Sequence, residues 1–141
     1  LYVPSYISLE YALSFYGLIP EAVMTITSVT TNKTAIIKNA EGVFTYQHIK
    51  QSAFRGFNEI KDNEGFLYFI AEPEKAVVDF LYLNLSKFDK NDFDIFENSY
   101  RFQNLTALSV KKLKMYASLF ENKKLMTVIN NLCAIIGRNN D

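Results

Sequence analysis

PEKAVVDFLYLNL, residues 73–85, is the stretch that settles what kind of fold this chain can have. Its proline stands where a helix begins, since at the first helical position the missing N–H is not needed and φ is already set. The residues that follow are apolar on almost every side, so this helix belongs inside the protein. One acid interrupts the run. Asp79 lies between Val78 and Phe80, and a carboxylate buried without a partner is costly. Lys75, four residues earlier on the same side of the helix, is the candidate partner in a structural ion pair. A carboxylate that holds sheet backbone and an acid that meets a partner are the other readings of Asp79. Glu72 and Glu74 stand where the helix dipole favours acids.

Upstream of this helix the pattern changes to that of strands. Residues 24–31 are dense in β-branched side chains. Residues 34–38 and 43–49 read as a hairpin around NAEG, with Gly42 as the permissive turn residue. A second turn, DNEG, separates FNEI from FLYFIA. Four or five strands joined by short links predict an antiparallel or mixed sheet rather than alternating βαβ units. Before them, SLEYALSFYG reads as a short helix with Ser8 as N-cap and Glu10 in its first turn. Leu9, Ala12, Leu13 and Tyr16 form its apolar face, and Gly17 ends it.

Downstream the period stays helical. NDFDIFENSY reads as a short acidic helix or turn. SVKKLKMYASLFE has Ser109 as its cap and turns Val110, Leu113, Tyr116, Ala117 and Phe120 inward. KKLMTVINNLCAIIG places Leu125, Val128, Ile129, Leu132 and Ile136 on one stripe, with Gly137 as its stop. The expected fold is one α+β domain over residues 1–141. An N-terminal helix, the sheet and the central helix occupy 1–85, and a helical extension occupies 86–141.

At 141 residues with 49% hydrophobic content, the chain can bury a full core without disulfides or metals. The single cysteine, Cys133, cannot form an internal disulfide and fits a reducing cytoplasm; it reads as a packed small hydrophobe. One cysteine and one histidine exclude a Cys/His zinc site within this chain. No apolar run approaches the ~20 residues that span a bilayer, and the start lacks the features of a signal peptide. The chain opens at Leu1 rather than Met, so further residues are expected upstream. The net charge is zero but unevenly spread: residues 71–97 hold seven acids against three lysines, and residues 98–141 hold seven basic residues against two acids.

Few residues invite chemistry. TITSVTTNKT, residues 25–34, carries five threonines and Ser28. Such a run can bind phosphate, but a strand that shows its hydroxyls to water is the better reading. His48 shares a strand face with Phe44 and Tyr46 and reads as a hydrogen-bonded strand histidine. Glu59 and Lys61 have the acid-x-lysine spacing of metal-dependent nucleases, which need a further acid for the metal. Lys111, Lys112, Lys114, Lys123 and Lys124 make a basic surface on two helices, suited to an acidic protein or to phosphates, or simply to solvent. Residues 89–97 are the one acidic run that could neutralise it. No Gly-rich phosphate loop and no nucleophile elbow is present.

Three blocks, taken in order, go further. PSYISLEYALSFYGLIPE followed by TITSVTTNKT resembles the opening of the AbiEi-type antitoxin domain. GVFTYQHIK resembles the hairpin strand that follows in that family, and AEPEKAVVDFLYL its later helix. The resemblance covers residues 3–85 clearly and the basic helices more loosely. Glu72 departs from it, standing where a Ser or Thr cap is expected. The resemblance implies a transcriptional regulator of a type IV toxin–antitoxin, or abortive-infection, system. Such a regulator carries an N-terminal winged helix–turn–helix for operator DNA, which this stretch lacks. It also implies a nucleotidyltransferase-like toxin as partner, a domain without catalysis, cofactor or metal, a cytoplasmic location and no membrane contact. A small metal-dependent nuclease built on Glu59 and Lys61 is the alternative.

Overall fold

The computed structural model describes residues 3–88, 96 and 100–139. β1 (Ser5–Ile7) runs into α1 (Leu9–Phe15), followed by β2 (Ile26–Thr30), β3 (Ala35–Asn39), β4 (Gly42–His48), β5 (Phe57–Lys61) and β6 (Leu67–Ala71). The helices α2 (Pro73–Leu83), α3 (Val110–Ser118) and α4 (Lys123–Asn139) complete the fold. The strands form one mixed sheet of six in the order β3-β4-β2-β1-β6-β5.

Both expected hairpins are present, β3 with β4 and β5 with β6. Their turns follow from local chemistry. Gly42 takes φ 141° and Gly65 φ 89°, and Asp62 Oδ1 accepts the N–H groups of Glu64 and Phe66, each at 2.9 Å. The strand beyond the expected four or five is β1, whose three residues are too few to show a period. It pairs antiparallel with β2 (Tyr6 opposite Val29) and parallel with β6 (Ile7 opposite Ile70). β2 and β4 also run parallel, from Ile26 opposite Phe44 to Thr30 opposite His48.

The hydroxyl run is indeed a strand over Ile26–Thr30, but the buried hydroxyls of Thr27 and Thr30 do not face water. Thr27 Oγ1 donates to the Ser8 carbonyl at 2.6 Å and accepts the Tyr11 N–H at 2.9 Å. Thr30 Oγ1 donates to the Pro4 carbonyl at 2.6 Å and accepts the Asn32 N–H at 3.0 Å. These contacts stitch β2 to both ends of β1. Thr27 also does for α1 what Ser8 was expected to do, satisfying an N–H of the first turn. Ser8 makes no cap of its own, because its hydroxyl is turned toward α2. Leu9, between them, is held at φ 59°, so the chain swings abruptly from strand to helix. Gly17, at φ 71°, then ends α1 with the Leu18 N–H on the Leu13 carbonyl at 2.8 Å.

α2 is the centre of the fold, in contact with α1, α3, α4 and β6. Ala76, Val77, Val78 and Leu81 are fully buried. Leu113, Tyr116, Ala117 and Phe120 of α3 and its end are buried as well, with Val110 half-buried, and so is the whole Leu125–Ile136 stripe of α4. Ser109 caps α3, accepting the Lys112 N–H at 3.2 Å. Gly137 does not stop α4, which continues to Asn139. A glycine inside a helix costs only ~1 kcal/mol, and the stripe packed just before it outweighs that. No helix among the described residues is long and apolar enough to cross a membrane. The expected acidic element at residues 91–100 and the run at 89–97 fall mostly outside the described residues, though Phe96 is buried in the core.

Replacing Thr27 with valine keeps shape and strand propensity but removes both of its hydrogen bonds. Urea melts are expected to show a loss of about 2 kcal/mol for Thr27→Val, against a few tenths for Thr25→Val. Equal losses at the two positions would show that Thr27 does not cap α1.

Candidate functional site

Lys75 and Asp79 are both completely buried and form an ion pair one turn apart on α2. Asp79 Oδ1 takes the Lys75 ammonium. Asp79 Oδ2 accepts the Tyr6 hydroxyl and the Ser8 hydroxyl, each at 2.8 Å. Lys75 Nζ also donates to Tyr6 Oη at 2.8 Å, so lysine, tyrosine and aspartate close a ring. The ammonium lies 4.9 Å from the centre of the Phe120 ring, which adds a cation–π contact from the end of α3. Gly56, at φ 82°, leaves room for this: a Cβ there would stand 2.9 Å from Lys75 Cγ and from the Tyr116 ring.

Burial pushes the Asp79 carboxyl up, opposed by the Lys75 charge and by the hydroxyl donors. Burial likewise pushes the Lys75 ammonium down, opposed by Asp79. Burial and the neighbouring carboxylate drive the Tyr6 phenol far above its ordinary value, so it remains a donor. Among the described residues no buried side-chain polar atom lacks a partner. With neither charge reachable from solvent, the cluster joins β1 and the β1–α1 turn to α2; it does not present a group to a substrate.

A second polar set joins α2 to α3. Glu72 accepts the Tyr116 hydroxyl on one oxygen and the Lys112 ammonium at 2.8 Å on the other. Glu74, nearly buried, accepts the Ser109 N–H at 2.9 Å. These acids therefore act across 35 to 44 residues of sequence, beyond the dipole role their position suggests. The one local sign was Glu72 itself, an acid where a Ser or Thr cap was expected.

The five surface lysines are accordingly not equivalent. Lys112 is held by Glu72, while Lys111, Lys114 and Lys123 are exposed and Lys124 is half-buried. None of the last four makes an ion pair with another described residue. They form a basic surface on α3 and α4.

The remaining candidates lie apart. His48 is exposed, with Nδ1 2.9 Å from the Asn32 carbonyl oxygen. Glu59 and Lys61 are exposed on β5, at the edge of the sheet. Four strand spacings, roughly 19 Å, separate β4 from β5. Asp62, the acid next to Glu59 and Lys61 in the chain, caps its own turn. Among the described residues no group of three or more His, Cys, Asp or Glu is placed to hold a metal. Cys133 is buried on α4, and burial raises its thiol pKa. Two concavities differ in lining: Glu10, Glu21 and several threonines border one, and the other is mostly apolar. The apolar one, of about 780 Å³, is walled by Ile7, Tyr46, Phe54, Phe57, Tyr68 and Phe69.

Compared with known proteins, the chain matches no family model and no curated protein.

Hydrogen bonds from Lys112 and Tyr116 hold the Glu72 carboxyl below its ordinary pKa of 4.5. A depressed acid stabilises the fold above its unfolded pKa, and this is lost as pH falls through the folded pKa. Glu72→Gln is expected to lower stability by about 1–2 kcal/mol at pH 7, with the gap to wild type closing progressively below pH 4.5. A gap that is constant down to acid unfolding would contradict a carboxylate clamp.

Proposed function

We propose that this domain is a non-catalytic binding module: the antitoxin domain of a cytoplasmic transcriptional regulator. It counteracts a nucleotidyltransferase-like toxin and supports repression of its own operon. The observation that carries the reading is where the resembling blocks meet. Tyr6 and Ser8 come from the first block and Lys75 and Asp79 from the last, and they form one hydrogen-bonded cluster. Thr27 and Thr30 of the hydroxyl run fasten the first block to the sheet beside it. Stretches some 70 residues apart thus describe one interlocked scaffold, which favours a shared fold over a chance likeness. The same placement gives those residues structural work and leaves recognition to the surface. The basic side of α3 and α4, with Lys111, Lys114 and Lys123 exposed, is the surface suited to an acidic partner or to phosphates.

The test is co-expression with a nucleotidyltransferase-like toxin, sought first in the genes beside this one. The regulator is expected to relieve the growth arrest caused by such a toxin, and absence of one from the neighbouring genes would count against the reading. The double variant Lys111→Glu/Lys114→Glu is expected to fail to relieve it, or to bind operator DNA more weakly, while melting like wild type. Absence of any relief by the wild-type regulator would overturn the antitoxin reading. Full relief and full operator binding by the double variant would remove the lysines from it.

A further inference from the structure

β5 is one of the two edges of the sheet, and its backbone polarity can be read from its ends. The Asp62 N–H donates to the Phe66 carbonyl at 2.9 Å, and the Gly56 carbonyl accepts the Glu72 N–H at 2.7 Å. Backbone groups alternate in direction along an antiparallel strand. Residues 56, 58, 60 and 62 therefore turn theirs toward β6, and Phe57, Glu59 and Lys61 turn theirs outward. Exposed edges are ordinarily blunted by charged side chains, which repel an identical edge when they share one sign, or by proline or a bulge. This edge instead carries one acid and one base, two residues apart, and neither takes part in an ion pair among the described residues.

We infer that β5 is a self-association edge. Two copies of this chain pair antiparallel through Glu59–Lys61 of β5 about a two-fold axis at Ile60, joining their sheets into one. In an isologous contact each residue meets its counterpart's partner, so only a self-complementary strand serves. With the axis at Ile60, Glu59 of each copy stands opposite Lys61 of the other. Both are outward residues, so each pair exchanges N–H and C=O hydrogen bonds as well as opposite charge. Moving the axis by one residue sets Glu59 against Glu59 or Lys61 against Lys61, which like-charge repulsion disfavours. The other edge, β3, holds a single charge, Lys38, and has no such register.

The neighbouring surface fits. Phe69 lies directly opposite Glu59, and Leu67 opposite Lys61, on the same face. They are 44% and 61% exposed, unusually open for such side chains inside a sheet. In the paired sheet they flank the two ion pairs, and the aliphatic stem of each lysine has apolar surface to lie on.

Sedimentation equilibrium on the full chain tests this. Wild type is expected to form dimers at concentrations up to about 100 µM. Glu59→Lys and Lys61→Glu are each expected to weaken the dimer on the order of tenfold or more, and the double exchange Glu59→Lys/Lys61→Glu to restore it. Glu59→Pro removes an outward N–H without touching the β6 ladder and is expected to give monomers, with near-UV circular dichroism confirming that each variant is folded. A monomeric wild type, including one that pairs only with a foreign strand, would overturn the inference. So would a dimer indifferent to the charge exchange and to Glu59→Pro.

Discussion

A lysine and an aspartate closed off from water have to be matched, and most of this structure is arranged around that requirement. Desolvating both charges costs several kcal/mol each, and their attraction repays this only when the remaining hydrogen-bonding capacity is also filled. Here Tyr6 and Ser8 fill it on Asp79, and Tyr6 accepts in turn from Lys75. What the arrangement provides is placement. β1 is only three residues long and could not hold its register between β2 and β6 by backbone pairing alone. Tyr6, fixed to α2 through the cluster, sets which residues of β1 face the helices. Ser8, drawn to Asp79, leaves the first turn of α1 to be capped by Thr27 of β2.

From that centre the remaining contacts extend outward. Phe120 lies over the Lys75 ammonium and places the end of α3. Lys50 and Ser52, between β4 and β5, hydrogen-bond the carbonyls of Phe120 and Leu119 at that same end. Glu72 and Glu74 fix its beginning. The buried polar residues thus have structural partners, and the side chains left for recognition lie on the surface: the lysines of α3 and α4, and the acid–base edge of β5.

How much of this could be read from sequence depended on how local the signal was. The central helix was legible from Pro73 and an apolar run broken only by Asp79, both hairpins from Gly42, Gly65 and Asp62, and the start of α3 from Ser109. Each of these features is caused by residues within a few positions of it. β1 escaped because three residues show no period, and because its partners lie some 25 and 65 residues away. Asp79 stood out as a lone charge, and Lys75 could be proposed from helix spacing. Tyr6 and Ser8 could not, since nothing in their neighbourhood points to a carboxylate 71 residues on. The partners of Glu72 and Glu74 were hidden for the same reason. The hydroxyls of Thr27 and Thr30 look identical in sequence to those of a wet strand; only the close passage of β1 turns them toward backbone.

The most direct test of the central cluster is a double-mutant cycle on Lys75→Met and Asp79→Leu, read by urea unfolding. Each single substitution strands a buried charge and is expected to lose about 3–5 kcal/mol, whereas the double replacement, apolar and of similar volume, is expected to lose far less than their sum. A coupling of several kcal/mol, or a folded double variant where the singles do not fold, is what the paired cluster requires. Losses that add to within ~0.5 kcal/mol would contradict it.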